Sequence, residues 1–374
     1  MNFNQCHYVP CLRWKQGEYQ AVQLLSDGAR QLITPLIEVA EQGFDFEAGT
    51  MKKTIDQHLA PFGKRLETKW QRQPCFVDLH LIRPELRMAD GRHPVRFVFD
   101  ELRDRKCLAV PVTGLVRDIA HQQAVRQVVG KDKRGLCLRL SIEEAAQPKL
   151  KELIDAFLAQ IASPDGCDLI FDLGAPNFIP IEGFAKAVEV LIRRLPYLRS
   201  WRTFTLLGTA FPQSMAEIKS SPSSIPRNEW LLYKLVAANL AKAKVRAPSF
   251  GDYCINHPKV LPMDMRRLKP SATIRYTTEN EWFIIKGPNV RDNQFGQYRE
   301  HCRSVTRCAN YSGPDFSAGD KYISGCANGS ESTGNLTTWR WVGTNHHLEH
   351  VARGVANFYG ISATSSPDDG APLN

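Results

Sequence analysis

The 374-residue sequence has no long hydrophobic run. No segment approaches the roughly 20 consecutive apolar residues that a membrane-spanning helix needs, so we expect no membrane partner. The opening segment, MNFNQCHYVPCLRWKQGEY, has no basic stretch followed by a long apolar one, which argues against a secretory signal. The sequence therefore predicts a cytoplasmic protein.

Cysteine is too sparse for a disulfide scaffold, with ten residues in a chain of this length. Several lie beside apolar runs, where a free thiol behaves as a small hydrophobic side chain, as at Cys75, Cys107, Cys137 and Cys167. Paired C-x-x-C spacing is also missing from the one group that includes a histidine, His301, Cys302, Cys308 and Cys326. We therefore predict free thiols in a reducing compartment, and no metal.

The sequence also lacks the motifs that identify common reactions. It contains no Walker loop, nucleophile elbow, kinase signature or glycine-rich dinucleotide turn. We therefore predict no cofactor, and whether the chain is an enzyme stays open. The formal charge of +9 permits a nucleic acid or another anionic partner. The basic residues are scattered, however, as is typical of solvated helix faces.

Eight short apolar runs alternate with helical patterns in the first two thirds of the chain. Most runs are rich in β-branched or aromatic residues, which is typical of strands buried on both faces. Alternating strands and helices predict a parallel sheet, and eight such units favour an α/β fold of the (β/α)8 TIM-barrel type over residues 1–257. The predicted strands are residues 8–14, 34–39, 75–81, 107–112, 136–140, 168–173, 203–207 and 247–255.

The alternation of strands and helices ends after residue 257, which predicts a C-terminal α+β extension over residues 258–361. Residues 272–277 and 282–286 have the alternation of a β-hairpin. Residues 312–335 are rich in glycine, serine and asparagine and predict loops. Residues 339–342 predict a last strand and residues 348–359 a last helix that packs on the barrel. The tail, 362–374, has the composition of a disordered segment.

Charged residues stand at the carboxyl ends of several predicted strands. In a barrel these ends share one mouth, where barrel enzymes hold their active sites. Carboxylates gathered there would perform acid–base chemistry or hold a divalent cation, with the arginine gripping an anion. The alternative is an ion-pair layer that fills space, because buried charges are usually paired. The candidates are Glu38, Asp78, Arg139, Asp172 and Asp252, with Lys15 and Glu18 after the first strand.

A histidine-rich segment, NHHLEH, spans residues 345–350. Its letters match the H-x-x-E-H pattern of inverted zinc proteases, in which His346 and His350 would share a metal one helical turn apart. The pattern is short and no distal third ligand can be identified, so we predict no metal here. Hydrogen bonds from His346 and His347 to the barrel rim are the alternative.

Several blocks of the sequence resemble the phage and prophage Beta protein family. The opening resembles that family in YVPCLRWKQGE at residues 8–18 and ITPLIE at 33–38. SFGDY at 249–253, IRYT at 274–277, FSAGD at 316–320 and the segment from Trp339 to His347 resemble its later blocks. From these blocks and the rim we take as candidate binding residues Lys15, Glu18, Arg275, Tyr276, Trp339, His346 and His347.

The resemblance implies a biological setting. It places the gene in a prophage or satellite phage, in a cassette that defends against other phages and contains a toxic protein that the family member restrains. This favours an immunity or antitoxin-like recognition protein with a partner encoded in the same cassette. The alternatives are an acid–base or metal-assisted hydrolase at the barrel mouth, and a nucleic-acid-binding protein. The resemblance carries no catalytic residues.

Overall fold

Eight parallel strands close into a barrel, which confirms the predicted fold class. The structure is a computed structural model that describes residues 3–159, 161, 163–259 and 268–361. Around the barrel the strands follow the order β1, β11, β9, β8, β7, β6, β5, β2. All eight lie within or beside the runs predicted from sequence. Their bounds are β1 Tyr8–Arg13, β2 Leu36–Glu38, β5 Cys75–Asp78, β6 Ala109–Thr113, β7 Cys137–Ser141, β8 Asp168–Asp172, β9 Thr203–Gly208 and β11 Ser249–Asp252.

Helices surround the barrel and cover its apolar outer face. Those that precede β11 are α1 Gln16–Gln23, α2 Asp27–Gln31, α3 Ile55–Leu59, α4 Phe62–Trp70, α5 Pro94–Asp104, α6 Ile119–Asp132, α7 Ile142–Ala145, α8 Leu150–Leu158, α9 Ile181–Arg194 and α10 Asn228–Lys242. Two short 3-10 turns, Pro164–Gly166 and Met215–Glu217, and a small hairpin of β3 Phe44–Asp45 and β4 Thr50–Met51 lie in the loops.

Alternate residues of each strand point into the barrel, because side chains along a strand have a period of two. The interior is therefore a separate apolar core, distinct from the larger core between strands and helices. It consists of Val9, Cys11, Leu36, Phe76, Val110, Val112, Cys137, Ile170, Leu207 and Tyr253. This packed interior supports whatever side chains stand above it at the mouth.

The chain after β11 forms a second layer before it returns to the barrel. Strands β12 Ser271–Thr277 and β13 Glu281–Asn289 pair as the predicted hairpin, and β10 Ser223–Pro226 extends it. Helices α11 Val290–Asn293, α12 Tyr298–Thr306 and α13 Ala318–Asn328 follow, and α14 Leu336–Phe358 ends the described chain. The first half of α14 packs in the core of this second layer. Its second half packs against the outside of the barrel.

Two local predictions were wrong in this region. Residues 312–335 were predicted as loops but contain α13, whose start is fixed by Ser317 accepting a hydrogen bond from the N–H of Asp320. Residues 339–342 were predicted as a strand but lie in α14. There Trp339 and Val342, three positions apart, share one buried helix face. Burial of that face outweighs the local preference of aromatic and β-branched residues for strands.

Other expectations concern the cysteines, the membrane and the tail. All ten cysteines are free thiols, as predicted. Within the described ranges, no helix is long and apolar enough to span a bilayer. The predicted disordered tail, 362–374, lies outside the described residues.

The close contact of α13 with α14 leads to a stability prediction. A Cβ added at Gly319 would lie 2.4 Å from the carbonyl oxygen of Val342. We expect Gly319→Ala to cost about 1–3 kcal/mol, because overpacked helices must separate. Gly130→Ala in α6 is the matched control, since a Cβ there meets nothing within 4 Å. Thermal unfolding should show a lower Tm for the first variant and an equal or higher Tm for the second. Equal Tm values for the two would contradict this view of the α13–α14 contact.

Candidate binding site at the barrel mouth

Four of the predicted mouth residues converge because of strand periodicity. Leu36, Phe76, Cys137 and Ile170 point into the barrel core. The residue two positions later on each strand points the same way, one layer nearer the carboxyl ends of the strands. These residues are Glu38, Asp78, Arg139 and Asp172.

Arg139 is the centre of this layer, and its guanidinium faces three carboxylates. Its Nη1 donates to Glu38 Oε1 at 3.0 Å and to Asp78 Oδ2 at 2.9 Å. Its Nε donates to Asp172 Oδ2 at 2.9 Å. The remaining nitrogen, Nη2, donates to the hydroxyl of Tyr253 at 2.8 Å, and that hydroxyl donates to Asp172. The side chain of Arg139 is only 9% exposed, so the layer is nearly closed to solvent.

Arg117 and His80 cover the same carboxylates from the solvent side. Arg117 Nη2 lies 3.2 Å from Asp78 Oδ2, and the ring of His80 lies between Asp78, at 3.2 Å, and Glu38, at 3.5 Å. Burial alone would raise the pKa of Asp78. Arg117, His80 and Arg139 outweigh it and hold that pKa well below its usual range. The carboxylate of Asp78 is therefore ionised at neutral pH.

The charges of the layer balance. Arg13 adds a third guanidinium 3.7 Å from Glu38, so three arginines face three carboxylates. A carboxylate already held by arginine is a poor general base and has little capacity left for a divalent cation. We call this set, Arg13, Glu38, Asp78, Arg117, Arg139 and Asp172, the ion-pair floor of the mouth. The floor is therefore a rigid layer whose charges balance, and His80 lies above it.

Asp252 does not join the floor. Gly251 occupies the inward-facing position of β11, so Asp252 points outward and Tyr253 inward. On the outer face, Asp252 Oδ1 accepts from the Tyr8 hydroxyl at 2.5 Å and from the N–H of Cys254 at 2.9 Å. Sequence reasoning missed Tyr253, because a shift of one residue in strand parity exchanges these two side chains.

Hydrogen bonds of the outward-pointing Asp252 side chain connect the barrel to α14. His347 Nε2 donates to Asp252 Oδ2 at 2.9 Å, and its Nδ1 lies 2.8 Å from the Thr277 hydroxyl. Burial lowers the pKa of His347, although Asp252 opposes that effect, and the neutral ring donates at Nε2 and accepts at Nδ1. One fully buried network therefore links β11, β12 and α14.

Asp252, Cys254 and His347 also place their ligand atoms within 4.8 Å of one another, close enough for a metal. A cation there would meet the buried guanidinium of Arg227, whose Nη2 lies 3.8 Å from Asp252 Oδ2. The carboxylate already has a positive neighbour and three hydrogen bonds. A hydrogen-bonded core explains this group better than a metal site.

His346 belongs to a second buried network in the same helix. Its Nδ1 lies 2.8 Å from Asp320 Oδ2 and its Nε2 lies 2.8 Å from the carbonyl oxygen of Thr277. Tyr276 stacks on the ring and donates to Asp320. Both ring nitrogens of His346 are thus occupied, and burial lowers the pKa of His350 to about 2. Neither observation favours a shared metal at the H-x-x-E-H pattern.

The other candidate binding residues lie apart from the floor. Lys15 is exposed and pairs with Glu41 at 2.6 Å. Glu18 is buried and accepts from Asn256 Nδ2 at 3.0 Å. Arg275 lies on β12, where burial and the charge of Arg340 lower its pKa to about 9. Trp339 is buried and stacks on Tyr298. Arg275 and Trp339 thus lie in the second layer, whereas Lys15 and Glu18 pair with residues of the barrel segment.

A cleft of about 330 Å³ opens beside His80. It lies between the loops that follow β5 and β6, at the carboxyl ends of the strands. Arg117 and His80 form its boundary with the ion-pair floor, and His93 and His121 line it further out. Sequence reasoning did not select these residues, because they stand in loops after the strand ends or at the starts of helices, with no motif to mark them.

The comparisons with known proteins agree with the resemblance seen in the sequence. Residues 8–353 match the family model described as Beta protein, so the chain belongs to the Beta protein family. No curated protein matches the chain.

Proposed function

We propose that this member of the Beta protein family is a recognition component of a prophage-encoded anti-phage cassette. In this role it acts as an immunity or antitoxin-like protein that binds a partner encoded in the same cassette. The observation that carries the proposal is the ion-pair floor. Glu38, Asp78 and Asp172, the three predicted carboxylates that lie in the mouth, are all held by arginine. A neutral, closed layer of this kind supports a rigid binding surface better than a reaction centre.

The rim of the mouth supports docking of another protein. Val116, on the loop after β6, and Ile119, the first residue of α6, lie on either side of Arg117 in the sequence and are 81% and 75% exposed. Large aliphatic side chains exposed next to a cleft are typical of interaction surfaces. The rim thus offers apolar contact area beside a basic group, which favours a partner surface that is apolar with an acidic residue.

The test is co-expression with the neighbouring cassette proteins, followed by co-purification and a growth assay. We expect one of them to co-purify and its toxicity to be neutralised. The double variant Val116→Asp, Ile119→Asp should weaken both effects, since it places charge in the apolar contact. Val190→Asp, on the outer face of α9 and 55% exposed, is the matched control and should behave as wild type. Failure to associate with or neutralise any cassette protein would overturn the proposal.

The second candidate is an acid–base enzyme, and one observation favours it. His80 stands between Asp78 and Glu38 with its side chain 22% exposed toward the cleft, where a histidine can transfer protons. A phage-protection assay in cells that carry the whole cassette separates the candidates. If His80→Gln abolishes phage protection and the rim double variant does not, the enzyme is favoured. If the rim double variant abolishes protection and His80→Gln does not, the recognition role is favoured.

A further inference from the structure

The cleft beside His80 has the features of an oxyanion site. It is built where the amino ends of two helices meet. Helix α5 begins after His93, and α6 begins after its cap residue Asp118. His93 and Asp118 both line the cleft. The amino end of a helix carries a partial positive charge and N–H groups without carbonyl partners. At the start of α5, Pro94 has no N–H and the N–H of Val95 donates to His93 Nδ1, so this end contributes its partial charge. The two ends together favour a negatively charged ligand.

Side chains of the lining strengthen this positive field. Arg117 lies at the inner end of the cleft and Arg83 at its edge. Arg117 uses Nη2 on Asp78, and Arg83 makes one exposed contact with Glu85 at 3.3 Å. Asp118 is the single carboxylate among the described lining residues. Its Oδ1 is already engaged, since it accepts from the N–H of His121 at the start of α6.

His121 is a buried polar group that faces the cleft. The residue is only 5% exposed, and its Nε2 has a weak contact of 3.4 Å with the carbonyl oxygen of Val112. Its Nδ1 has no hydrogen-bond partner among the described residues. The ring also packs edge to face on His93, with centroids 5.9 Å apart. With the ring proton on Nδ1, this nitrogen would donate to a ligand oxygen in the cleft, and Nε2 would give up only its weak 3.4 Å contact.

The remaining walls are apolar. Leu79, Ile82, Pro84, Pro94 and Val116 provide the rest of the lining. A volume of about 330 Å³ suits a small molecule or a single side chain rather than a polymer. The geometry points to a site for a small ligand with one phosphate or carboxylate head and an apolar body, its head between Arg117, His121 and the start of α6. The inference deepens the proposed function, because it names the chemistry that the mouth would recognise.

The experiment is a calorimetric titration of the full-length protein at low salt. The probes are phenyl phosphate, benzoate, inorganic phosphate and the neutral benzyl alcohol. Phenyl phosphate and benzoate distinguish the two sources of the oxyanion. We expect at least one of them to bind more tightly than inorganic phosphate, because the ring contacts the apolar walls, and benzyl alcohol not to bind. Arg117→Gln should weaken binding about tenfold or more, the loss of one charge-assisted hydrogen bond.

His121→Phe keeps the ring packing on His93 and removes the nitrogen, so it should also weaken binding. Arg307→Gln is the matched control, since this side chain at the end of α12 is 74% exposed, and it should bind as wild type does. Equal affinity in Arg117→Gln, His121→Phe and wild type would overturn the inference, as would the absence of saturable binding by any anionic probe. If partner recognition fails but an oxyanion probe still binds, the proposed function is contradicted and the inferred site is not.

Discussion

Replacing Arg139 by leucine is expected to lower the free energy of unfolding by about 3–5 kcal/mol. Arg139 donates to Glu38, Asp78 and Asp172, which are 2%, 0% and 12% exposed. Leucine would leave these buried carboxylates with Arg13 and Arg117 as their remaining arginine partners. Buried charge without a counterion is among the costliest defects in a protein core. Urea unfolding at pH 7 measures the loss.

The difference in stability between Arg139→Leu and wild type should also depend on pH. In the wild type, the depressed pKa of Asp78 contributes stability above its unfolded pKa of about 4, and this is lost only as the pH falls below that value. In Arg139→Leu we expect the pKa values of the buried carboxyls to rise above their unfolded values, so the variant gains stability as the pH falls from 7 to 5. The gap to wild type should narrow over that range. Arg307→Leu, at an exposed position that follows α12, should stay near wild type at both pH values. A gap that stays constant would contradict the ion-pair explanation.

Asp252→Ala is expected to cost about 3 kcal/mol or more. The substitution removes the acceptor of Tyr8, Cys254 and His347 and takes away the carboxylate next to Arg227, which is 2% exposed. Because His347 lies on α14, the variant should also loosen that helix from the barrel. Hydrogen exchange should therefore be faster in the second half of α14, and the Tm should fall.

Two further variants control this experiment. Asp155→Ala removes an exposed carboxylate of α8 that pairs with Lys151, and it should unfold close to the wild-type temperature. Asp252→Asn keeps an acceptor for Tyr8 and for the N–H of Cys254 but removes the charge, so it should lie between wild type and alanine. Asp252→Ala with the stability of Asp155→Ala would show that the network contributes little.

Much of the barrel could be predicted from sequence, because each buried strand is a short apolar run with a helical pattern after it. The same logic located Glu38, Asp78, Arg139 and Asp172, since the strand ends of a barrel share one mouth. The sequence pattern did not predict which way each side chain points from its strand. Asp252 stands at a strand end like the others, and only the register of β11 shows that it points outward.

The remaining features depend on tertiary contacts that leave little trace in the sequence. His80, His93, Arg117 and His121 are separated along the chain, and two helix starts bring them to one cleft. Helix α13 is rich in small and polar residues, and its packing against α14 rather than its own composition holds it helical. Local pattern reasoning has no access to such contacts.

The course of α14 has a consequence for how the protein folds during synthesis. The chain completes its last barrel strand at Asp252, but the helix that closes the ring on the outside of β1 and β11 begins only at Leu336. Until α14 leaves the ribosome, it cannot cover the outer surfaces of the first and last strands. Such long-range closure slows folding and exposes apolar surface to aggregation. The second layer is synthesised during this interval, while the ring of helices around the barrel is still incomplete.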